Sequence, residues 1–425
     1  MVLREGKYQK DILTNGIRVV TENIPYLRSV SLGVWINTGS RDEEDHNNGI
    51  SHFLEHLAFK GTNKRTSRQI AFEIDSIGGY IDAFTSREYT CYSVKVLDEH
   101  LPIALDILSD IILNSTFNSN EIEKERNVIL EEIKMIEDMP SDYIYDLLYK
   151  ALWPGHPFGK PIQGEPDTIN KITRDDILTH LDRHYLPEKI VIASGGNVSH
   201  KKLMRLLEKY FKSYRRDGNS TRKPIISEIT QKVVFKEKNL EQVHLCLGTK
   251  GLTNNDSERF KSYLLNTILG GSMSSRLFQK IREEKGLAYS IYSFNSPYVD
   301  TGIFGIYAGT GPKNFFTVLE LIMDEIRLLK NERVNETELK KSKDQLKGIM
   351  MLALESSISR MSQIAKQELY LGKHFTLNEI VSEIEKVTPQ GVQDIANTLF
   401  DSKFFNLAVT GPLVEKEISL DMLKC

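Results

Sequence analysis

The second half of the chain repeats the first half, and this repeat constrains the fold more than any other feature of the sequence. Three segment pairs match in the same order at offsets of 217, 215 and 216 residues: Phe117–Ile122 with Val334–Leu339, Ile169–Thr173 with Ile384–Thr388, and Ile190–Gly195 with Asn406–Gly411. Three matches at nearly one offset predict a duplicated domain. We therefore predict an N-terminal domain over residues 1–214, a polar linker over 215–224 and a homologous C-terminal domain over 225–425.

Each half mixes strand patterns with helix patterns. Residues 17–21, 30–36 and 94–96 are rich in β-branched side chains, as strands are. Residues 103–113 and 121–139 have apolar positions three and four apart, as amphipathic helices do. Clusters of strands separated by pairs of helices favour an α+β fold over a doubly wound parallel sheet.

Composition excludes several functional classes. The formal net charge is −3, which argues against a general binder of nucleic acid or of anionic membranes. No run of eighteen apolar residues occurs, so no transmembrane helix is expected. Three widely spaced cysteines predict reduced thiols rather than a disulfide framework. Because the first residues also lack a signal-peptide core and carry Glu5 and Asp11, the sequence favours a prokaryotic cytoplasm.

Segment 51–61, with the sequence SHFLEHLAFKG, carries the chemistry. On a helix, the spacing of His52 and His56 places both imidazoles on one face, where they can bind one Zn²⁺. Glu55 lies beside that face and is placed to accept a proton from a metal-activated water. H-x-x-E-H is the inverzincin motif. Taken alone, the motif leaves open two partly exposed histidines on an amphipathic helix.

A catalytic zinc ion usually takes three protein ligands, and the predicted helix 121–139 offers the third. Its Glu125 and Glu132 are seven residues apart and share a face. For any single glutamate, a solvated acidic helix is the alternative interpretation. At the 217-residue offset these two glutamates match Ser342 and Ile349, and the second half contains no H-x-x-E-H. The repeat therefore predicts a metal site in the first half only.

The segment HFLEHLAFKGT, with Glu132 following 76 residues after His56, resembles the pitrilysin-type (inverzincin) zinc metallopeptidases. It is most similar to their short branch of bacterial processing-peptidase-like proteins and the mitochondrial processing peptidase β subunit. The resemblance spans nearly the whole chain and includes residues 78–96, 125–135 and 269–290. It implies one zinc ion per chain, bound by His52, His56 and Glu132, with Glu55 as general base and Glu125 supporting the site.

The resemblance also implies substrate-binding residues. Arg282 and Tyr289, in R-x-x-x-G-L-A-Y, match a pair that holds the substrate backbone and stabilises the tetrahedral intermediate. A guanidinium fork and a phenolic hydroxyl suit those tasks, although a surface arginine and a core tyrosine are the alternative. Ala83, Phe84 and Thr85 match a strand beside the zinc, to which an extended substrate can add. Gly270 and Gly271 match a glycine-rich substrate-handling segment, or else form a flexible turn.

The implied function is a zinc-dependent endopeptidase that acts on short or unfolded peptides. In this family two such domains, each a mainly antiparallel sheet packed with helices, form half of a clamshell, so a homodimer is expected. Arg282 and Tyr289 of one chain would then face the zinc of the other. A non-catalytic scaffold or partner subunit is the alternative, and mitochondrial presequence processing is a further one. The second histidine pair with i,i+4 spacing, His180 and His184, is attributed to an exposed helix face.

Overall fold

The computed structural model describes residues 6–216, 218, 221–225, 229–413 and 418–425, and they form two compact units. The first unit comprises Met1–Lys134, Lys160–Lys223 and Leu352–Leu377, and the second comprises Met135–Gly159, Pro224–Met351 and Asn378–Cys425. These units differ from contiguous sequence halves, because each includes a segment of the other half. Three residues of the predicted linker, 217, 219 and 220, lie outside the described residues. The homologous halves 1–214 and 225–425 stay a prediction.

Clusters of strands separated by helices follow one another along the described chain, which is the α+β arrangement that the sequence predicts. The strands are β1 (Lys7–Ile12), β2 (Arg18–Asn23), β3 (Ser29–Ile36), β4 (Tyr80–Thr85), β5 (Thr90–Leu97), β6 (Ile190–Gly196), β7 (Lys232–Glu237), β8 (Val243–Lys250), β9 (Ala288–Pro297), β10 (Gly302–Thr310) and β11 (Asn406–Gly411). The helices are α1 (Ile50–Ala58), α2 (Ser67–Ser76), α3 (Leu101–Asn114), α4 (Ser119–Asp138), α5 (Pro140–Leu152), α6 (Pro166–Ile169), α7 (Arg174–His184), α8 (His200–Phe211), α9 (Arg259–Leu269), α10 (Phe315–Asn331), α11 (Glu336–Ala353), α12 (Ser357–Leu371), α13 (Leu377–Lys386) and α14 (Pro389–Leu399).

The predicted elements are confirmed with small shifts of their ends. The strands expected at 30–36 and 94–96 lie in β3 and β5, and the strand expected at 17–21 corresponds to β2. The two predicted helices correspond to α3 and α4, the second of which ends just before Pro140. Among the described residues, no helix combines the length and the apolar character that crossing a bilayer requires.

The first unit is built on a six-stranded sheet in the order β1-β2-β6-β3-β5-β4. Neighbouring strands are antiparallel except for the β2–β6 pair. The main core joins one face of this sheet to buried side chains of α1, α3 and α8. Helix α12 packs on the other face, where a Cβ at Gly195 would lie 2.9 Å from the carbonyl oxygen of Ser357. Glycine is required there because the helix backbone approaches the strand closely.

The second unit contains a five-stranded sheet in the order β7-β11-β8-β10-β9. Only its β7–β11 pair is parallel, so both sheets are mainly antiparallel as predicted. Apart from β1, the order and directions match those of the first sheet, which agrees with the repeat in the sequence. Helix α5 packs on this sheet, and Leu148 fills the space above Gly248 that a Cβ would occupy.

Candidate metal centre

Helix α1 carries His52, Glu55 and His56, and a buried carboxylate fixes its beginning. Glu43 accepts hydrogen bonds from the backbone N–H of Gly49 at 2.7 Å and of Ser51 at 2.9 Å. The first N–H groups of a helix have no partner within the helix, so Glu43 supplies one. Burial raises the pKa of the Glu43 carboxyl to about 7. The role of Glu43 could not be predicted from the sequence, because no local spacing relates this residue to α1.

Three side chains converge in the way that a zinc ion requires. The Nε2 atoms of His52 and His56 lie 3.3 Å apart, and Glu132 Oε2 lies 3.7 Å and 3.5 Å from them. Ligand atoms bound tetrahedrally at about 2.0–2.1 Å from one ion lie roughly 3.3–3.4 Å from one another. Two nitrogens and one oxygen at these separations fit zinc closely. Within the described ranges, they form the one group of His, Cys, Asp and Glu suited to a metal ion.

The protonation states also favour a metal ion. Burial, with the neighbouring His56, lowers the pKa of His52 to about 4, so that its imidazole is neutral near pH 7. Hydrogen bonding to His56 lowers the pKa of Glu132 and keeps its carboxylate charged. Burial acts against the charged form of His56, but hydrogen bonds to Glu132 and Glu125 raise its pKa. Because zinc binds the neutral imidazole, metal binding must release the additional proton of a charged His56.

Glu125 lies behind the metal-binding atoms. Its Oε2 is 3.2 Å from His56 Nδ1, and its Oε1 is 2.7 Å from the ammonium of Lys60. A carboxylate that accepts the Nδ1–H of a histidine leaves Nε2 for the metal and fixes the ring. Lys60 compensates the charge of the buried Glu125. Lys60 was not among the residues predicted from the sequence, although its position four residues after His56 was an available signal.

Replacing Glu125 with Gln is expected to weaken zinc binding by roughly 10- to 100-fold, because the amide is a poorer acceptor for the Nδ1–H of His56. Competition with a chromophoric chelator measures the dissociation constant. Glu131→Gln is a matched control, since Glu131 lies on the same helix, is largely exposed and pairs with Lys134. If the zinc affinity of Glu125→Gln stays within twofold of that of the unmodified protein, Glu125 does not support zinc binding as proposed.

Glu55 has the free oxygen that a general base needs. Its Oε2 is buried and has no hydrogen-bond partner among the residues that the structure describes. Burial raises the pKa of Glu55, while a hydrogen bond from Thr85 acts in the opposite direction. The side chain lines a cavity of about 400 Å³ together with His56 and the apolar side chains of Ile70 and Ile81. A carboxylate with a raised pKa is a better proton acceptor near neutral pH.

Ala83, Phe84 and Thr85 lie at the end of β4, which is the edge strand of the first sheet. The Thr85 hydroxyl donates to the carbonyl oxygen of Ser51 at 3.3 Å and so connects β4 with α1. The Phe84 ring packs edge-on against Trp35 at a centroid distance of 5.7 Å. The strand predicted beside the metal site is therefore present there, and no described strand pairs with its outer edge.

Arg282, Tyr289, Gly270 and Gly271 belong to the second unit. The Arg282 guanidinium lies 5.4 Å from the centroid of the Tyr289 ring, so these two side chains are neighbours. Tyr289 is 77% exposed, which excludes the alternative of a core tyrosine. Gly270 follows α9 directly, and a Cβ there would lie 2.4 Å from the backbone nitrogen of Ser293. The substrate roles of all four residues stay predictions.

The expectation of an exposed face for His180 and His184 is wrong. Both are buried, at 3% and 6% exposure, and their rings stack at 4.4 Å. They share the inner face of α7 with Ile177 and Leu181, which lie three residues before His180 and three residues before His184, respectively. That apolar period was visible in the sequence and predicts burial.

The buried His184 predicts a loss of stability in acid. Burial, helped by Lys189, lowers its folded-state pKa to about 4, against about 6.5 when unfolded. Its contribution to the free energy of unfolding is therefore present above pH 6.5 and is lost as the pH falls toward 4. Between pH 7 and pH 5 the loss is about 2 kcal/mol. Urea unfolding at both pH values should show a correspondingly smaller difference for His184→Gln, and an unchanged difference would contradict this assignment.

Two imidazoles, a carboxylate from a second helix and a glutamate with one unpartnered oxygen beside them are the groups that the site of a metal-dependent peptidase requires. Comparison with known families gives the same class of protein. Residues 18–165 match the family model described as Insulinase (Peptidase family M16), and residues 171–346 match the Peptidase M16 inactive domain. The chain belongs to peptidase family M16. The resemblance stated from the sequence is confirmed, and the label of the second domain agrees with a metal site in the first half only.

Curated relatives are described as zinc proteases, which implies zinc as the cofactor. The Bacillus subtilis protein YmxG, an uncharacterized zinc protease, is 47% identical over 94% of this chain and 97% of its own length. An uncharacterized zinc protease of Streptomyces coelicolor is 38% identical over 97% of this chain and 92% of its own length. Relatives this similar over nearly the full length support a metalloprotease.

Solved structures share the fold at lower identity. A protease from Helicobacter pylori superposes with a TM-score of 0.90 at 23% identity, over 95% of this chain and 99% of that one. A Pseudomonas fluorescens structure described as a peptidase M16 inactive domain gives 0.89 at 20% identity, over 96% and 98%. A chain of complex III2 from Candida albicans gives 0.84 at 21% identity, over 98% of both chains.

Proposed function

We propose that this protein is a zinc-dependent endopeptidase that hydrolyses short or unfolded peptides, with one zinc ion per chain. The observation that carries the proposal is the convergence of His52, His56 and Glu132 beside a glutamate whose free oxygen is available for proton transfer. The zinc protease relatives support the metal and the reaction class. The bacterial origin of these relatives supports a prokaryotic protein, and we propose the cytoplasm as its location.

The proposed mechanism assigns proton transfer to Glu55. His52, His56 and Glu132 would hold the zinc ion, which would supply Lewis-acid activation of the attacking water and of the scissile carbonyl. Glu55 accepts the proton of that water on its free oxygen and then donates it to the nitrogen of the departing amine. Thr85 orients the carboxylate, and Glu125 keeps Nε2 of His56 directed toward the metal.

The proposed substrate site is the free edge of β4. An extended peptide can add there as a further strand, because the outward backbone groups of an edge strand are available for hydrogen bonds. The cavity beside Glu55 and His56 has walls formed by Phe59, Ile70 and Ala71 and can accept a substrate side chain. Recognition through the backbone requires an unfolded substrate and tolerates many sequences. The proposed partners are therefore peptides, and neither nucleic acid nor a membrane is proposed.

Metal analysis combined with peptide cleavage tests the proposal. We expect one zinc ion per chain, cleavage of an unfolded reporter peptide, and no cleavage of the same sequence within a stably folded domain. A chelator should abolish cleavage, and added zinc should restore it. Stoichiometric zinc without cleavage of any unfolded peptide would favour the scaffold alternative, whereas cleavage that survives complete removal of the metal would contradict the mechanism.

We further propose a homodimer in which Arg282 and Tyr289 bind substrate at the metal site of the partner subunit. Mixing Glu55→Gln chains with Arg282→Ala chains is expected to restore part of the activity, since one of the two mixed sites then has both residues intact. The measurement is the cleavage rate after subunit exchange, which fluorescence energy transfer between labelled chains verifies. Exchange without any recovered activity would contradict the cross-subunit site.

A further inference from the structure

A buried network of four charged side chains lies at the turn between β4 and β5. Arg41 Nη1 is 2.5 Å from Glu88 Oε1, and the side chains of both residues are at most 1% exposed. Arg222 binds Asp42 through two bonds, Nε to Oδ1 at 2.9 Å and Nη2 to Oδ2 at 2.8 Å. Each of the two guanidinium groups therefore lies against a carboxylate of opposite charge, which offsets the cost of burying the charges.

The same two arginines bind backbone as well as carboxylates. Arg222 Nη2 donates to the carbonyl oxygen of Glu88, within the turn, at 2.7 Å, and to that of Asn37 at 3.3 Å. Arg41 Nη2 donates to the carbonyl oxygen of Lys223 at 3.1 Å. The planar fork of the guanidinium makes several such bonds possible at once. Hydrogen bonds of Arg222 and Arg41 therefore connect residues 222–223, which belong to the predicted linker, with the β4–β5 turn and its neighbour Arg41.

The position of this turn matters because β4 is an edge strand. Within its sheet, β4 is paired with β5 alone, so the hairpin turn fixes one end of it. Thr85 ends β4 three residues before Glu88 and donates the hydrogen bond that connects the strand with Ser51 of α1, the helix that carries Glu55. If the turn moved, the free edge of β4 would move with it, and that edge would no longer be aligned with Glu55.

We propose that Arg41 and Arg222 are positioning residues for peptide binding, which hold the β4–β5 turn so that the free edge of β4 is aligned with Glu55. The inference rests on the proposed function, in which that edge binds the substrate. It gives the segment between the two predicted halves a role in the active site. Neither arginine touches the reacting atoms in this assignment.

The test compares Arg222→Met and Arg222→Lys with the matched control Arg216→Met. Arg216 also lies within 215–224, has a side chain that is 20% exposed against 16% for Arg222, and pairs with Asp182 away from the turn. Hydrogen exchange is measured by mass spectrometry over residues 80–97, with β2 and β6 as reference strands. Zinc content, kcat and KM are measured on the same full-length preparations.

For Arg222→Met we expect roughly tenfold faster exchange in residues 80–90, with β2, β6 and the zinc content unchanged. KM should rise roughly 5- to 10-fold with a smaller change in kcat, because binding of the whole peptide is weakened. The exchange rate and KM of Arg222→Lys should lie between those of the unmodified protein and those of Arg222→Met, since lysine keeps the positive charge but lacks the guanidinium fork. Arg216→Met should match the unmodified protein.

Two results would overturn the inference. One is unchanged exchange at the hairpin of Arg222→Met, and the other is faster exchange throughout the first unit together with lost zinc, which indicates a general structural role. Failure of the unmodified protein to bind zinc or to cleave peptides would instead contradict the proposed function. The exchange comparison still reports on the hairpin in that case, so the two failures can be told apart.

Discussion

Replacing Glu55 with Gln is expected to lower kcat/KM by roughly 10²- to 10⁴-fold while the protein keeps one zinc ion per chain. The amide is nearly the same size as the carboxylate but cannot accept the proton of the attacking water. Glu55 is not one of the three converging ligands, and its free Oε2 points to a proton-transfer role rather than to metal binding. Steady-state cleavage of an unfolded reporter peptide, with zinc measured on the same sample, checks both parts.

The result must separate catalysis from folding. Glu131→Gln serves as a control, because its side chain is 73% exposed and its replacement should leave both zinc content and turnover unchanged. Thermal unfolding of Glu55→Gln should resemble that of the unmodified protein, since removing a buried charge with an unpartnered oxygen relieves a desolvation cost. Near-normal turnover by Glu55→Gln with full zinc would disprove its role as general base.

Replacing Glu132 with Gln is expected to remove zinc and activity together. Its Oε2 lies 3.5 Å and 3.7 Å from the two imidazole nitrogens, so it is the only carboxylate oxygen in the converging group of the described chain. An amide oxygen is a weaker ligand than a charged carboxylate, and the loss of affinity should exceed the roughly 100-fold limit expected for Glu125→Gln. Zinc titration by competition provides the measurement.

Glu131→Gln is again the matched control, because it changes the adjacent residue of α4 on the exposed side. The order of effects matters as much as their size. Glu132→Gln should lose more zinc affinity than Glu125→Gln, and Glu131→Gln should lose none. Equal affinities for the variants at 125 and 132 would mean that the third ligand has been assigned to the wrong residue.

The sequence indicated which side chains come together at the candidate site because their main relations are local. A spacing of four residues places His52 and His56 on one face of α1, and a spacing of seven does the same for Glu125 and Glu132 on α4. The spacing could not say which glutamate faces which nitrogen. In the structure Glu132 approaches the Nε2 atoms and Glu125 approaches Nδ1, and only the packing of the two helices decides this.

Other residues of the site were out of reach of local spacing. Glu43 at the beginning of α1 and Arg222 at the β4–β5 turn act across distances in sequence that no periodicity relates. The family resemblance supplied Thr85, whose contact with α1 is a tertiary one.

The sequence by itself determined the α+β class, the repeat, and the residues that can bind and activate at a metal site. The metal-site residues and the individual elements follow from the spacing of side chains along one strand or helix, and the repeat follows from matching segments about 216 residues apart. The tertiary structure alone decided that α5 packs on the second sheet and α12 on the first, each from the other half of the chain. It also decided which charges lie buried together, because desolvation and close packing depend on segments that meet only in the folded protein.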